Sequence, residues 1–260
     1  MATIGIFDSG VGGLTVQRAI LEAVPAADTL YLGDTARVPY GTKSAETVTS
    51  YSLRNARLLA THGIDLLVVA CNTASAVALP ALRAEIGVPV LGVVEPGARV
   101  ASAASRSGRI GVIGTQGTIA SGTYQEAIRR ARPDAEVLAR ACPLLVPLAE
   151  EGWTDPADEV VRAVVRRYLG PVRDAGVDTL VLGCTHYPLL ESAIAAELPG
   201  VLLVDSAHAI ADEVRERFPG AASGPEGAHR FLVTDTPARF LSVAGRFLGR
   251  PVETAEHVDV

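Results

Sequence analysis

Two thiols in look-alike settings are the residues of this 260-residue chain best placed to do chemistry. Leu66-Leu67-Val68-Val69-Ala70 leads into Cys71-Asn72-Thr73, and Leu180-Val181-Leu182-Gly183 leads into Cys184-Thr185-His186. A free thiol titrates near neutrality (about 8.5), so modest tuning populates the thiolate, while the protonated group is a competent acid. Two thiols on either side of one carbon can therefore exchange roles. One withdraws a proton from one face, the other delivers a proton to the opposite face, and the stereocentre inverts without a cofactor. Most free cysteines are simply small buried hydrophobes. Here the contexts match, and each thiol follows a strand of the kind whose carboxyl end borders ligand sites in open α/β sheets.

Other candidates surround these two. Cys142 lies in the apolar run Ala141-Cys142-Pro143-Leu144-Leu145-Val146-Pro147 and reads as structural. His186 can tune Cys184, act as an acid or cap the turn, and a Cys-His pair also leaves open a cysteine-hydrolase reading. That reading leaves Cys71 without work. A zinc site is weaker still, because no short Cys-x-x-Cys or His spacing is present. His62, His208, His229 and His257 carry no motif and are expected at the surface. The loop Asp8-Ser9-Gly10-Val11-Gly12-Gly13 fits neither the dinucleotide fingerprint nor the P-loop, and suits a small carboxylate better than a nucleotide. Asp8, at a strand end, can bind an amino group or bias a thiol. Tyr40-Gly41, Asn72-Thr73, Thr115 with Thr118, and Thr185 supply hydroxyls, amides and N–H groups that hold carboxylates without titrating. Each alone could be a helix cap.

The elements that must position these groups alternate in type. Strands are expected at Ile4 to Phe7, Thr29 to Leu32, the run into Cys71, and Val90 to Val93. Helices are expected at about Leu14 to Ala23, Ala45 to Thr61 and Ala74 to Ile86. Arg109 to Thr115 then repeats the strand-and-turn opening, with helices near Ser121 to Ala131 and Asp158 to Asp174 before the second cysteine strand. The tail reads as strand Leu202 to Val204, helix Ala209 to Arg217, strand Arg230 to Val233 and helix Thr236 to Leu248. The fold class is α/β: two pseudo-symmetric domains, each a mostly parallel sheet flanked by helices, with the site in the cleft between. Glu95-Pro96-Gly97 reads as turn-like punctuation between halves. The expected division is 1–96 plus about 207–260, discontinuous, and 97–206.

Composition narrows the class. Hydrophobic residues make up 48% and aromatics 5%, so the core is aliphatic. A net charge of −6 argues against nucleic acid as a partner. The start breaks at once into Asp8-Ser9-Gly10, unlike a secretory leader, and no apolar run is long enough to span a bilayer. With three cysteines and no disulfide pattern, a reducing cytoplasm is the expected setting.

At this point the motifs resemble a known family. Gly5-Ile6-Phe7-Asp8-Ser9-Gly10-Val11-Gly12-Gly13-Leu14-Thr15-Val16, Tyr31-Leu32-Gly33-Asp34-Thr35 with Pro39-Tyr40-Gly41, Ala70-Cys71-Asn72-Thr73-Ala74 and Gly183-Cys184-Thr185-His186-Tyr187-Pro188-Leu189 resemble the glutamate racemases of the aspartate/glutamate racemase family. Gly114-Thr115-x-x-Thr118 and Pro147-Leu148-Ala149-Glu150-Glu151-Gly152 extend the resemblance, which runs from about residue 3 to about 206; beyond that only length and pattern agree. The resemblance implies cofactor-independent, two-base racemisation of glutamate, with D-glutamate feeding peptidoglycan synthesis in the bacterial cytoplasm. It implies Cys71 and Cys184 as the acid/base pair, Cys71 acting on D-glutamate and Cys184 on L-glutamate, with Asp8 and His186 assisting. Asp8, Ser9, Tyr40, Gly41, Asn72, Thr73, Thr185 and His186 would bind substrate, with Thr115, Thr118 and Glu150 close by. No metal is implied. A homodimer is expected, and although some glutamate racemases are thought to contact DNA gyrase, nothing in this sequence supports such a contact. An aspartate racemase remains the nearest rival.

Overall fold

The computed structural model describes residues 2–260. The first half runs β1 (Thr3–Asp8), α1 (Leu14–Ala23), β2 (Asp28–Gly33), α2 (Ala45–Ala60), β3 (Leu66–Val69), α3 (Asn72–Val77), α4 (Leu79–Glu85), β4 (Val90–Gly92) and α5 (Val94–Ala104). Next come β5 (Arg109–Gly114), α6 (Gln116–Ala120), α7 (Thr123–Ala131), β6 (Glu136–Ala141), α8 (Leu145–Glu151), α9 (Glu159–Asp174), β7 (Thr179–Gly183), α10 (Glu191–Glu197) and β8 (Leu202–Asp205). The tail adds α11 (Ser206–Arg217), β9 (His229–Val233), α12 (Pro237–Leu248) and β10 (Glu256–His257).

These strands form two separate sheets. One has six strands in the order β10-β9-β2-β1-β3-β4, the other four in the order β6-β5-β7-β8. Every pairing is parallel. Parallel neighbours need a crossover between them, and the chain supplies helices for this purpose, which cover both faces. The tail returns to the first sheet, where β9 pairs with β2.

Alternation along the central strands shows where the core sits. Ile4 and Ile6 of β1, with Leu180 and Leu182 of β7, belong to one large buried cluster lying between the sheets. Phe7 and Leu67 face a second cluster, and Ile110, Val112 and Val181 a third. The helical layer between the sheets includes α1, α11 and α12, so residues of the tail reach both halves.

Several local expectations need correction. Glu95-Pro96-Gly97 is no turn: it lies in the first turns of α5, where a proline is tolerated because its missing N–H has no helical partner there. The single helix expected over Ala74 to Ile86 is two, broken at Ala78, with Pro80 in the first turn of α4. His229 is half-buried rather than superficial, its Nδ1 3.0 Å from Thr29 Oγ1. Among the described residues, no helix is long and apolar enough to cross a membrane.

Candidate active site

Register brings the chemistry together. β1 and β3 are neighbours with Phe7 level with Val69, so Asp8 and Cys71 leave the six-stranded sheet side by side. β5 and β7 are neighbours with Gly114 level with Gly183, which does the same for Thr115 and Cys184. Cys71 and Cys184 both line a single cavity of about 380 Å³, together with Ser9, Tyr40, Gly41, Asn72, Thr73, Thr115, Glu150, Thr185 and His186. Each sheet thus contributes one thiol to the same wall. Asp8 and Thr118 are not on that wall; both are buried behind it.

The surroundings of Cys71 are neutral or acidic. It caps the N-terminus of α3, its Sγ accepting from the Ala74 N–H at 3.5 Å, and lies 3.7 Å from Ser9 Oγ. Burial, reinforced by the negative charge of Asp8, pushes the thiol up to about 12. Asp8 Oδ2 accepts from the Gly10 N–H at 2.9 Å, while Oδ1 is buried with no partner. Burial raises the Asp8 pKa, against the opposing pull of His186 and the loop N–H groups. Among the described residues no hydrogen bond joins Asp8 to Cys71, so their coupling is through charge.

Cys184 stands beside a cation. Its Sγ is 3.8 Å from His186 Nδ1, and His186 Nε2 is 3.0 Å from Glu150 Oε1 at the end of α8. Burial opposes protonation of His186, yet the contacts with Cys184 and Glu150 outweigh it and push the imidazole up to about 10. The same hydrogen bond from His186 lowers the Glu150 carboxyl, against partial burial. Phe247 of α12 meets the imidazole edge-on at 5.2 Å between ring centroids. On the far side, the Thr15 hydroxyl of α1 donates to the Thr185 carbonyl at 3.0 Å, tying the second thiol loop to the first half.

Hydroxyls close the gap between halves. Thr73, Thr115 and Thr118 form a triangle with Oγ1 separations of 2.9, 3.0 and 3.0 Å. Three hydroxyls in a ring can each donate once and accept once, leaving lone pairs free toward a ligand. Gly41 must be glycine, since a Cβ there would sit 2.6 Å from Thr115 Cβ. Tyr40 differs from expectation in one respect. Its hydroxyl is committed to a buried network, donating to Asp34 Oδ2 and accepting from Asn55 at 3.0 Å. What Tyr40 offers the cavity is ring surface and backbone. Asn72 accepts from the Tyr124 hydroxyl at 2.6 Å, and its Nδ2 is buried without a partner.

Three wall residues belong to none of the resemblance motifs: Val38, Val146 and Arg239. Arg239 comes from α12, far from every motif, and its charge helps to hold the Glu150 carboxyl low. All three cysteines are free, and Cys142 is fully buried, as a structural residue should be. Among the described residues no group of three or more His, Cys, Asp or Glu could hold a metal ion.

Comparison with known proteins fits this geometry. A family model described as Asp/Glu/Hydantoin racemase matches residues 4–214. The glutamate racemase of Geobacter metallireducens is 59% identical over 251 residues, which make up 95% of this chain and 92% of that protein. Among solved structures, a glutamate racemase from Bacillus anthracis aligns with a TM-score of 0.93 at 40% identity, covering 100% of this chain and 98% of that one. The glutamate racemase of Francisella tularensis, solved in complex with D-glutamate, aligns with a TM-score of 0.91 at 33% identity, covering 99% of this chain and 97% of that one.

Proposed function

This chain belongs to the glutamate racemases, amino-acid isomerases of the Asp/Glu/hydantoin racemase family, and on that premise we propose that Cys71 and Cys184 interconvert L- and D-glutamate by two-thiol acid/base chemistry. The observation that carries the reading is the single cavity lined by one thiol from each sheet. Bound with its α-carbon between them, glutamate loses its α-proton to one sulfur and gains a proton from the other on the opposite face. The electron pair left on carbon delocalises into the α-carboxylate, and a fixed array of donors stabilises that charge.

The wall supports each part of this scheme. Asn72 Nδ2, on the wall, is buried without a protein partner and is a donor for a carboxylate of the substrate. Asp8 Oδ1, likewise unpartnered, adds negative charge from just behind the wall, on the side where an ammonium would sit. A buried polar atom with no partner is costly, so a ligand that satisfies it binds with that cost removed. The Ser9 and Thr185 hydroxyls add neutral groups to the wall, the hydroxyl triangle offers lone pairs, and Arg239 gives the wall a fixed positive charge suited to a carboxylate of the substrate. We also propose a two-domain division, 1–96 with 207–260 against 97–206, whose closure excludes water from the carbanion. The reaction needs no cofactor, and its product would feed peptidoglycan synthesis in the bacterial cytoplasm.

The Cys184–His186–Glu150 chain of contacts is also one that a cysteine hydrolase would use. It leaves Cys71 idle on the wall of the same cavity, which favours the two-thiol reading. One assay decides. L-glutamate incubated in deuterated water should racemise with deuterium at Cα in the product. Racemisation without α-deuterium, or no turnover of glutamate at all, would end the proposal.

A further inference from the structure

Tyr124 of α7 is fully buried and belongs to no motif, yet it touches both thiol loops. Its hydroxyl donates to Asn72 Oδ1 at 2.6 Å, one residue beyond Cys71. Its ring lies against Gly183, one residue before Cys184, so closely that a Cβ on Gly183 would be 3.1 Å from Tyr124 Cε2. The helix is pinned there by its neighbour, since the Thr123 hydroxyl donates to the Ala76 carbonyl of α3 at 2.8 Å.

A buried phenol must place its one hydrogen on an acceptor. With the Tyr124 hydrogen on Asn72 Oδ1, the amide is locked in one of its two orientations, and Nδ2 is left as the free donor. Without that hydroxyl the carboxamide can turn over and present an oxygen where an anionic substrate needs an N–H.

We propose that Tyr124 is a positioning residue of the reaction, a strut that braces the Gly183–Cys184 turn with its ring and fixes the Asn72 amide toward the substrate carboxylate with its hydroxyl. The inference rests on the two-thiol reading for its catalytic meaning, and on the Asn72 contact alone for its effect on binding.

The test compares wild type, Tyr124→Phe, Asn72→Ala and the double variant. Readouts are kcat and KM in both directions, glutamate binding by calorimetry, and thermal melting. Tyr124→Phe keeps the ring and should fold, melting about 2–4 °C lower for one lost hydrogen bond. Its KM and its glutamate Kd should rise about five- to tenfold, the effect of one hydrogen bond on an equilibrium. Because the hydroxyl acts through Asn72, adding Tyr124→Phe to Asn72→Ala should change glutamate binding less than twofold. Wild-type KM and Kd in Tyr124→Phe would overturn the proposal. So would losses that multiply fully in the double variant. Failure of wild type to place deuterium at Cα would sink the two-thiol reading instead, and the binding cycle would still report on the strut.

Discussion

The Cys71 and Cys184 loops share a plan and differ in charge. Both thiols follow central parallel strands, both are nearly buried at 5% and 6% exposure, and both are followed by a polar dipeptide on the cavity wall. Around Cys71 the strongest electrostatic neighbour is a carboxyl, and the thiol is pushed up to about 12. Around Cys184 it is an imidazole pushed up to about 10 and held by Glu150. Backbone topology therefore places the two sulfurs alike, while Asp8 on one side and His186 with Glu150 on the other give them opposite electrostatic surroundings. Cys71 thus faces a carboxyl that favours its protonated form, whereas Cys184 faces a charged imidazole.

The largest effects should come from removing either thiol. Cys71→Ser and Cys184→Ser should each lower racemisation in both directions by about 10²–10⁴-fold, the usual worth of a general acid or base. The two variants should differ in what they keep. A lone remaining thiol can still exchange the α-proton on its own face, so each variant should wash deuterium into one enantiomer only, and not the same one. Nuclear magnetic resonance on the separate enantiomers checks this. Exchange into both enantiomers by either variant would break the assignment of one sulfur to one face.

Adjacent glycines give a finer probe. A Cβ on Gly12 would land on Thr185 Oγ1 and His186 Nδ1, whereas a Cβ on Gly13 would be 2.5 Å from Asp8 Cβ. Gly12→Ala should therefore disturb the Cys184 side and Gly13→Ala the Cys71 side, each lowering kcat/KM about tenfold or more through misplacement. The equilibrium constant between enantiomers is one, so kcat/KM must fall equally in both directions for either variant. The difference should appear in kcat, with opposite directions slowed more in the two variants. The same slower direction in both would mean that the loops are not independent.

Much of this site was legible in the chain because parallel strands announce themselves. Val68-Val69 and Val181-Leu182 are buried on both sides, and the polar residues directly after them have nowhere to go but the sheet's carboxyl edge. β6 escaped notice because Glu136 and Arg140 interrupt its pattern at an edge position that is only partly buried. α8 is hidden in an apolar run punctuated by Pro143 and Pro147, although the second proline sits in the helix's first turn. Arg239 and Tyr124 left no local trace at all. Each reaches the site from a helix whose own sequence is ordinary, and only the packing of that helix gives the side chain its work.

The helpers on the Cys184 side can be weakened without touching either sulfur. Glu150→Gln removes the anion that holds His186 charged, so the imidazole should titrate closer to its ordinary value. The alkaline limb of the pH profile should move down, and kcat/KM at neutral pH should fall by about tenfold, within the range general acid–base contributions span. An unchanged alkaline limb would show that Glu150 merely packs.

The smallest effect is on stability, and here the two loops separate by pH window. A folded-state pKa above the unfolded value means that the native state binds more protons between the two, so stability falls as pH rises through that interval. For His186 the interval runs from 6.5 to about 10. For Cys71 it runs from 9.0 to about 12. The lowered Glu150 works in the other direction, contributing above its ordinary 4.5 and losing its contribution as pH falls below it. Wild-type melting temperature should therefore peak between 4.5 and 6.5, decline gently above 6.5 and decline more steeply once pH passes 9.0. His186→Asn should flatten the first decline and leave the second, whereas Cys71→Ser should do the reverse. If His186→Asn kept the full slope just above neutrality, the imidazole would not be charged in the folded protein. The contrast between an acid-faced and a cation-faced thiol would then have to rest on Asp8 alone.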